Sequence, residues 1–252
     1  MKKNQIAAQL FTLREFLKTP ADIAASLKKV KKLGFDAVQV SGMGPIPEEE
    51  LVKILDGEGL VCCATHENGA MIVNDPDKVI DRLNRLHCAY TAYPYPHQVP
   101  TSVAEAKEFA HKLNASAQKL AAAGKVLTYH NHAIEFTRLD GQLLLDLIYA
   151  NAPQLQSEID TYWVQYGGGD PVAWVRQMAG RLPLLHLKEL GIIDNQITML
   201  PIGSGNLNWR AILAEAEKGG TRWFIIEQDV CRIDPFDSLK ASLDYLTAKF
   251  VR

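Results

Sequence analysis

An α/β fold, a single (β/α)8 TIM barrel, is predicted by three features of this sequence. Short β-like runs alternate with helical patterns from one end of the chain to the other, which is typical of parallel βα units. There are about eight such runs, the number that closes a TIM barrel, and 252 residues is a typical length for one. No linker, low-complexity tract or charge block divides the chain, so we expect one domain over residues 1–252.

The predicted elements follow one another in a regular order. The strand candidates are Gln5 to Phe11, Ala37 to Val40, Leu60 to Thr65, Tyr90 to Tyr93, Val126 to Asn131, Gln156 to Asp160, Leu182 to Leu187 and Trp223 to Glu227. Helix starts are marked by a capping side chain before a proline, at Thr19-Pro20, Asp75-Pro76, Asp170-Pro171 and Asp234-Pro235. Helix ends are marked by glycines that can adopt the left-handed conformation, at Gly34, Gly59, Gly124 and Gly219-Gly220.

A doubly wound open sheet is the competing architecture, because periodicity alone does not exclude it. No Gly-x-Gly-x-x-Gly fingerprint follows the first strand. Gly203-Ser204-Gly205 lies late in the chain and leads into a helix through Asn208 and Trp209. We therefore interpret this segment as a tight turn.

The composition is that of an ordinary globular protein. Hydrophobic residues make up 47%, and a formal net charge of −2 gives no general attraction to nucleic acid or anionic membranes. The 4 cysteines lack the spacing of a zinc finger or a disulfide framework, so we expect buried thiols in a reducing compartment. The N-terminal apolar stretch is broken by Gln9 and Arg14, unlike a signal peptide, and no segment is long enough to span a membrane. We expect a cytoplasmic protein and leave the oligomeric state open, a homo-oligomer included.

Four of the predicted strands end in ionisable side chains, at the position where TIM barrels carry catalytic groups. Strand side chains alternate between faces, so residues two apart point to one side. The strand-end groups are His130 with His132, Glu158 with Asp160, His186 with Lys188, and Glu227 with Asp229. A single strand-end His is usually a hydrogen-bonded core residue, but four such strands favour a site for one divalent cation. The ligand types suit Mn²⁺, Zn²⁺, Co²⁺ or Mg²⁺.

At these residues the sequence resembles the xylose isomerase-like TIM barrels, often labelled sugar phosphate isomerases/epimerases. The resemblance is carried by Tyr129 to Phe136 (Tyr-His-Asn-His-Ala-Ile-Glu-Phe), Asp160 to Val164 with Gly169-Asp170-Pro171, His186-Leu187-Lys188-Glu189, Gly203 to Trp209, and Glu227-Gln228-Asp229. These motifs cover the second half of the chain, and the first half matches loosely, through Phe11 to Arg14 and His66. They are strong evidence for the family and weak evidence for the substrate.

The resemblance implies a metal held by a Glu, an Asp, a His and a second Glu from successive strands. By this resemblance Asp160, His186 and Glu227 fill the last three places, and the first falls on His130. In similar epimerases and isomerases the two glutamates also move protons on and off the carbon next to a carbonyl. The imidazole at position 130 therefore puts a symmetrical exchange between two carboxylates in doubt.

The activity implied by the resemblance is enolisation of a sugar or keto-sugar. A metal-bound carbonyl acidifies the neighbouring C–H, a base removes the proton, and an enediolate forms. We expect the catalytic residues to be His132, with an ordinary pKa of ~6.5 that suits a general base, together with Glu227 and Lys188, which stabilises the oxyanion. Reprotonation gives isomerisation or epimerisation. Departure of a group from the next carbon instead gives a lyase or dehydratase acting on a keto-sugar, keto-glycoside or inosose.

Four further residues are candidates for contact with the substrate, namely His66, Glu158, Trp163 and Arg14. Each also has a structural alternative. His66 can be a hydrogen-bonded loop histidine, and Glu158 can orient a ligand or form an interior ion pair. Trp163 can serve packing alone, and Arg14 can be a surface or ion-pair residue. If Arg14 contacts the substrate, we expect an anionic or phosphorylated one.

Two other functions compete with this interpretation. An endonuclease IV-like DNA-repair enzyme shares the barrel but uses several zinc ions, and it would require additional His and acidic ligands and a basic groove, which are not evident. A non-catalytic sugar-binding protein would not need the metal ligands or Lys188. We therefore expect a small-molecule sugar or keto-sugar as partner, and neither nucleic acid nor a membrane.

Overall fold

Eight parallel strands close into a barrel in the computed structural model, which describes residues 1–252. Each strand pairs with its neighbours in the chain and the first pairs with the last, so the sheet has no free edge. The strands are β1 (Ile6–Gln9), β2 (Ala37–Val40), β3 (Val61–His66), β4 (Tyr90–Tyr93), β5 (Val126–His130), β6 (Gln156–Asp160), β7 (Leu184–Leu187) and β8 (Trp223–Ile226). The predicted (β/α)8 barrel is confirmed, and the open doubly wound sheet is wrong.

The predicted strands differ from the observed ones at their ends. β1 stops at Gln9 because Leu10–Phe16 form a 3-10 helix. β5 stops at His130, so His132 lies in the loop beyond it. The expectation that His130 and His132 lie on one face of the same strand is therefore wrong, because His132 is outside the strand. Their ring centroids are nevertheless only 4.8 Å apart.

Ten helices accompany the barrel, and most of their predicted starts are confirmed. They are α1 (Pro20–Leu33), α2 (Glu48–Glu58), α3 (Gly69–Asn74), α4 (Pro76–Arg85), α5 (Val103–Ala122), α6 (Leu144–Asn151), α7 (Thr161–Tyr166), α8 (Pro171–Gln177), α9 (Trp209–Lys218) and α10 (Pro235–Phe250). The side chains of Thr19, Asp170 and Asp234 each accept a backbone N–H of the helix that follows. Asp75 does not cap α4, and its carboxylate lies 2.7 Å from the ammonium group of Lys78 instead. None of these helices has the length and apolarity that a membrane crossing requires.

The interior of the barrel changes from apolar to polar along its axis. A small buried cluster inside the barrel includes Ala7, Ala37, Leu184 and Ile225. The residues two positions further along the same strands point to the same side. These residues are Gln9, Gln39, His186 and Glu227, and all four are buried. Polar and ionisable groups therefore fill the carboxyl-terminal end of the barrel.

Two antiparallel hairpins, which the sequence analysis does not predict, interrupt the alternation of strands and helices. Arg138–Leu139 pairs with Gln142–Leu143 after β5. Glu189–Ile193 pairs with Gln196–Leu200 directly after β7. The second hairpin begins one residue after Lys188 and therefore starts at the edge of the predicted site.

The Gly203-Ser204-Gly205 segment closes around a buried carboxylate. Glu189 accepts hydrogen bonds from the backbone N–H of Gly203 (2.9 Å) and Leu207 (3.1 Å) and from the indole N–H of Trp209 (2.5 Å). A Cβ atom at Gly205 would lie 2.7 Å from the carboxyl carbon of Glu189, so only glycine fits there. The interpretation of this segment as a tight turn is confirmed, and the turn donates backbone hydrogen bonds to the buried Glu189 carboxylate.

We predict that Trp209→Phe destabilises the protein. The substitution leaves a smaller aromatic ring and removes one of the donors to the buried Glu189 carboxylate, which should lower the free energy of unfolding by about 1–3 kcal/mol. Urea denaturation followed by circular dichroism measures the change. The exposed neighbour Arg210, replaced by Ala, is the control and should change the free energy by about 0.5 kcal/mol or less. Equal stability of Trp209→Phe and the unchanged protein would contradict this account of the turn.

Candidate active site

A polar cavity of about 390 Å³ lies at the carboxyl-terminal end of the barrel. Its lining includes five of the predicted site residues: His66, His130, His132, Lys188 and Glu227. Three more, Glu158, Asp160 and His186, are buried in the barrel interior and contact this group. A cavity of about 450 Å³ between α3 and α5 contains none of the predicted site residues.

Strand register brings the predicted metal ligands together. β6 lies between β5 and β7, with Glu158 opposite His130 and Asp160 opposite His186. The pairing of β8 with β7 then carries Glu227 to the same end of the barrel. Residues from four successive strands therefore meet without help from flexible loops, an arrangement that favours precise geometry.

The outer part of the site consists of His130, Asp160, His186 and Glu227. Each can offer one ligand atom, and these atoms lie within 4.8 Å of one another. His186 Nδ1 lies 3.0 Å from Glu227 Oε2 and 3.8 Å from Asp160 Oδ2, and His130 Nε2 lies 4.0 Å from Asp160 Oδ2. Asp160 Oδ2 is buried and has no hydrogen-bond partner. We call these four residues the outer cluster.

The Lys188 ammonium group lies beside the outer cluster. Its Nζ is 2.6 Å from Asp229 Oδ2, 3.1 Å from Glu227 Oε2 and 3.5 Å from Asp160 Oδ2. Burial alone would lower the pKa of Lys188, but the three carboxylates raise it. The same ammonium lies 5.2 Å from the ring centroid of Trp163. Lys188 is therefore a fixed positive charge at neutral pH.

Glu158 is the centre of an inner polar layer. Its Oε1 lies 2.5 Å from His66 Nε2, 3.1 Å from His186 Nε2 and 3.4 Å from His130 Nδ1. Its Oε2 accepts a hydrogen bond of 2.8 Å from the side-chain amide of Gln39. Burial alone would raise the pKa of Glu158, but the imidazoles of His186 and His66 hold it well below the usual range. The carboxylate is therefore ionised although it is completely buried.

A chain of hydrogen bonds fixes the orientation of the His186 ring. The Phe11 backbone N–H donates to Gln9 Oε1 (3.3 Å), so the Gln9 amide nitrogen donates to Gln39 Oε1 (2.9 Å) and the Gln39 amide nitrogen to Glu158. His186 Nε2 then faces two acceptors, Gln39 Oε1 at 2.7 Å and Glu158 Oε1 at 3.1 Å. Since neither acceptor can donate, Nε2 carries a hydrogen. Nδ1 is left facing the outer cluster.

The outer cluster would be stabilised by a further positive charge, as the pKa values of two of its members show. Burial raises the pKa of Asp160 to about 7. Burial alone would lower the pKa of His186, but the Glu158 and Glu227 carboxylates raise it to about 10. A proton on His186 Nδ1 therefore lies where a cation could bind, between this nitrogen and the buried carboxylates of Glu227 and Asp160.

The donor set fits a divalent metal ion. Two imidazole nitrogens and two carboxylate oxygens are ligands that Zn²⁺ and Mn²⁺ accept, and a tetrahedral ion would separate them by about 3.4 Å. Three of the separations are 3.0, 3.8 and 4.0 Å, and all four ligand atoms lie within 4.8 Å of one another, so small shifts of the side chains would bring them to that spacing. A bound cation would also give Asp160 Oδ2 the partner that it lacks.

A second group of potential ligands lies one layer deeper and consists of His66, His130, Glu158 and His186. It shares both imidazoles with the outer cluster but uses their opposite nitrogens. Because His186 Nε2 carries a hydrogen toward Gln39, it has no lone pair for an inner cation. The inner layer therefore orients the ligands, and the outer cluster is the better place for a single ion.

His132 differs from its expected chemistry. Its ring packs beside those of His130 (4.8 Å), Tyr95 (5.1 Å) and Trp163 (5.3 Å), and its backbone N–H donates to Glu135. Burial, followed by the nearby His130, lowers the pKa of His132 to about 2. The expectation of a pKa near 6.5 is therefore wrong, because the ring is desolvated among other rings. His132 is neutral at neutral pH.

The four predicted substrate contacts lie in different places. His66 lines the cavity and Trp163 borders Lys188, whereas Glu158 lies beneath His66 in the inner layer. The Arg14 guanidinium donates to the backbone carbonyls of Phe11 (3.0 Å) and Asp229 (2.8 Å) and is not part of the cavity lining. The roles of all four in substrate binding stay predictions.

The sequence analysis missed the two glutamines of the inner layer. Gln9 ends the strand Ile-Ala-Ala-Gln, and Gln39 lies inside Ala-Val-Gln-Val. A polar residue in a short, fully buried strand is the signal that could have identified them, because such a group needs a partner. Gln39 bonds Glu158 on β6 and His186 on β7, and Gln9 bonds Gln39 on β2. These partners are far away in the sequence, so the pattern alone does not show what the glutamines bind.

The fold and the site agree with the family comparison. The chain belongs to the xylose isomerase-like TIM barrel family, whose model matches residues 27–249. This confirms the family that the strand-end motifs indicate. No curated protein is similar enough to this chain to count as a match.

Solved structures share the whole barrel. A sugar phosphate isomerase/epimerase from Parabacteroides distasonis has 25% identity and a TM-score of 0.82, with 98% of this chain and 99% of that chain covered. Another from the same organism has 22% identity and a TM-score of 0.83, with coverages of 99% and 96%. A probable 3-DHS dehydratase from Bacillus anthracis has 16% identity and a TM-score of 0.75, with coverages of 99% and 100%. The likenesses below 25% identity concern the fold alone.

We predict that His186 keeps its hydrogen on Nε2 and uses Nδ1 toward a bound cation. Long-range ¹H–¹⁵N spectra of the Zn²⁺-loaded protein distinguish the two nitrogens. Gln39→Leu removes the acceptor that holds the ring, so the affinity for the cation should fall by about 10- to 100-fold. Gln118→Leu, at an exposed position, is the matched control and should leave the affinity unchanged. A hydrogen on Nδ1 in the loaded protein, or full affinity in Gln39→Leu, would contradict the prediction.

Proposed function

We propose that this protein is a metal-dependent isomerase or epimerase of sugars or keto-sugars, which acts by removing a proton next to a carbonyl group. The proposal rests on the convergence of His130, Asp160, His186 and Glu227 at the carboxyl-terminal end of the barrel. The family match and the sugar phosphate isomerase/epimerase structures from Parabacteroides distasonis support it.

The outer cluster would hold one divalent cation, whose identity the donor set leaves open among Mn²⁺, Zn²⁺, Co²⁺ and Mg²⁺. When bound, such an ion supplies Lewis-acid polarisation of a carbonyl and its neighbouring hydroxyl, which acidifies the adjacent C–H. The inner layer keeps the His186 ring oriented, since Gln39 and Glu158 both accept from its Nε2. It also places the Glu158 carboxylate 3.4 Å from Nδ1 of His130, on the side of that ring that faces away from the outer cluster.

Lys188 would stabilise negative charge on the substrate oxygen as the proton leaves. Its ammonium is already in place, held by Asp229 and Glu227, and it stays protonated at neutral pH because those carboxylates raise its pKa. A group that is oriented and charged before the reaction costs no reorganisation in the transition state. Trp163 packs beside it and limits the access of water.

Two groups could move the proton. The Glu227 carboxylate is held ionised, since Lys188 and His186 lower its pKa well below the usual range in spite of burial. His132 lines the cavity as a neutral imidazole whose buried Nδ1 has no hydrogen-bond partner. With His130 in the place of the family's first glutamate, Glu227 is the anionic candidate for the base, and His132 is the neutral one.

Elimination from the same enediolate is the second candidate reaction. It would make the protein a lyase or dehydratase of a keto-sugar, keto-glycoside or inosose. The observation that favours it is the replacement of one of two exchanging carboxylates by an imidazole, since elimination needs one base and a proton donor for the leaving group. The full-length likeness to the probable dehydratase from Bacillus anthracis is consistent with this chemistry on the same barrel.

We predict that each chain binds one divalent cation, with an affinity that increases with pH. The Asp160 carboxyl is protonated below about pH 7, and His186 carries its second proton up to about pH 10. A cation must displace these protons, so the affinity should rise about tenfold per unit above pH 7 and more steeply below it. Calorimetric titration with Mn²⁺ from about pH 6 to about pH 8 measures this dependence.

Asp160→Asn should weaken cation binding at least about 100-fold, because it removes a charged ligand. Asp146→Asn, an exchange of the same kind at an exposed position, is the control. A flat pH profile would contradict the assignment of the ligands. A stoichiometry of three ions per chain would favour the endonuclease IV-like alternative.

We predict that the Mn²⁺-loaded protein exchanges solvent deuterium into a carbon next to a carbonyl. A panel of ketoses, keto-glycosides and inososes in D₂O, followed by NMR, measures the exchange and separates isomerisation from elimination. Glu227→Gln should reduce the exchange by about 100-fold or more, because it removes the charged base. Glu108→Gln, on the exposed face of α5, is the control and should keep full activity.

No exchange with any member of the panel, with the cation demonstrably bound, would count against the proposed reaction. Unchanged exchange in Glu227→Gln would instead show that another group removes the proton. A non-catalytic sugar-binding protein would bind a member of the panel without exchanging its protons.

A further inference from the structure

We infer that the substrate is an uncharged sugar or keto-sugar, without a phosphate or carboxylate group; this rests on the proposed function and names the substrate class of the same site. Three groups at this end of the barrel are of a kind that often binds anions, and each contacts an acceptor of the chain itself. They are the Lys188 ammonium, the start of α3 and the glycine turn after β7.

Lys188 is the single lysine or arginine in the lining of the cavity. Its ammonium contacts Asp229, Glu227 and Asp160, and 1% of its side-chain surface is exposed. Glu67 also lines the cavity, but its charge is paired with Arg82. The other carboxylates of the site are those three and Glu158, so a divalent cation and Lys188 together still leave one negative charge in excess. An anionic substituent would be repelled by this excess.

The start of α3 borders the cavity at Asn68 and Gly69. Free backbone N–H groups at a helix start often bind phosphate. Here the Asn68 side chain accepts the N–H groups of Ala70 (2.9 Å) and Met71 (3.2 Å). Two of the donors that an anion would need are therefore occupied.

TIM barrels that bind phosphate often do so with the loops after the seventh and eighth strands. In this chain the turn after β7 contains Gly203 and Leu207, whose backbone N–H groups point at Glu189. The Glu189 carboxylate thus occupies the position that an external anion would take. After β8, the lining residue Asp229 brings another negative charge.

Arg14 does not supply the missing cation. Its two terminal nitrogens donate to the carbonyl groups of Phe11 and Asp229, which lie on the cavity side of it. The guanidinium carbon also lies 4.4 Å from the centroid of the Phe11 ring. Arg14 therefore supports the wall of the cavity from behind, in contrast to the predicted role with an anionic substrate.

The remaining lining suits hydroxyl groups and sugar C–H faces. Ser41, His66 and His97 offer polar donors and acceptors, and Phe11 and Tyr95 offer aromatic surface. A few placed polar groups with aromatic walls are typical of sites for neutral small molecules. The cavity of about 390 Å³ leaves room for such a substrate above the outer cluster.

Paired substrates test this inference. The Mn²⁺-loaded protein is given ketoses and their terminal phosphate esters, and deuterium exchange from D₂O is measured as kcat/KM for each pair. The unphosphorylated member should react at least about tenfold faster in the best pair, and inorganic phosphate should not inhibit it. Ser41→Arg places a cation on the cavity wall and should narrow this ratio, whereas Ser41→Gln, of similar length but uncharged, should not.

The outcomes separate this inference from the proposed function. Exchange that is equal for both members, or faster for the phosphate ester, would overturn the inference and leave enolisation intact. Competitive inhibition by inorganic phosphate would overturn it as well. No exchange with either member of any pair, with the cation bound, would overturn the proposed function and this inference together.

Discussion

The ionised carboxylate of Glu158, buried without access to water, is the constraint on which the site depends. A buried charge is costly unless opposite charges and hydrogen bonds surround it. Three imidazoles and the Gln39 amide surround it here. The closer contacts, of 2.5 to 3.1 Å, fix the orientation of His66, His186 and Gln39. The histidines that face the cavity are therefore held by what lies behind them. The same logic makes the first two strands, which carry no reactive group, necessary to the site through Gln9 and Gln39.

This inner layer is possible because the barrel separates packing from chemistry along its axis. Ala7, Ala37, Leu184 and Ile225 fill the interior below, and polar side chains begin two residues later on the same strands. The apolar layer thus contributes to stability and the polar layer carries the candidate reactive groups, a separation that is typical of TIM barrels. The predicted placement of His130 at the position of the family's first glutamate fits this arrangement. Glu158 returns a negative charge directly behind the imidazole.

The fold and the outer cluster could be predicted because both depend on short-range rules. Alternation along a strand places Asp160 and His186, and proline after a capping residue marks where α1, α8 and α10 begin. The features that were missed depend on contacts between distant segments. The partners of Gln39, the desolvation that lowers the pKa of His132, and the carbonyl groups that bind Arg14 appear only when the barrel closes. The hairpin after β7 was missed because the helical pattern was expected to follow each strand directly.

Lys188 and the protonated His186 give the site a further property. Two cationic side chains already balance most of the charge of Asp160, Glu227 and Asp229 before any ion arrives. Repulsion between the carboxylates should therefore destabilise the folded protein only slightly when no cation is bound. If the outer cluster binds the proposed cation, a chelator should remove that cation without denaturing the protein, and different divalent ions can then be exchanged into the same preparation and compared directly.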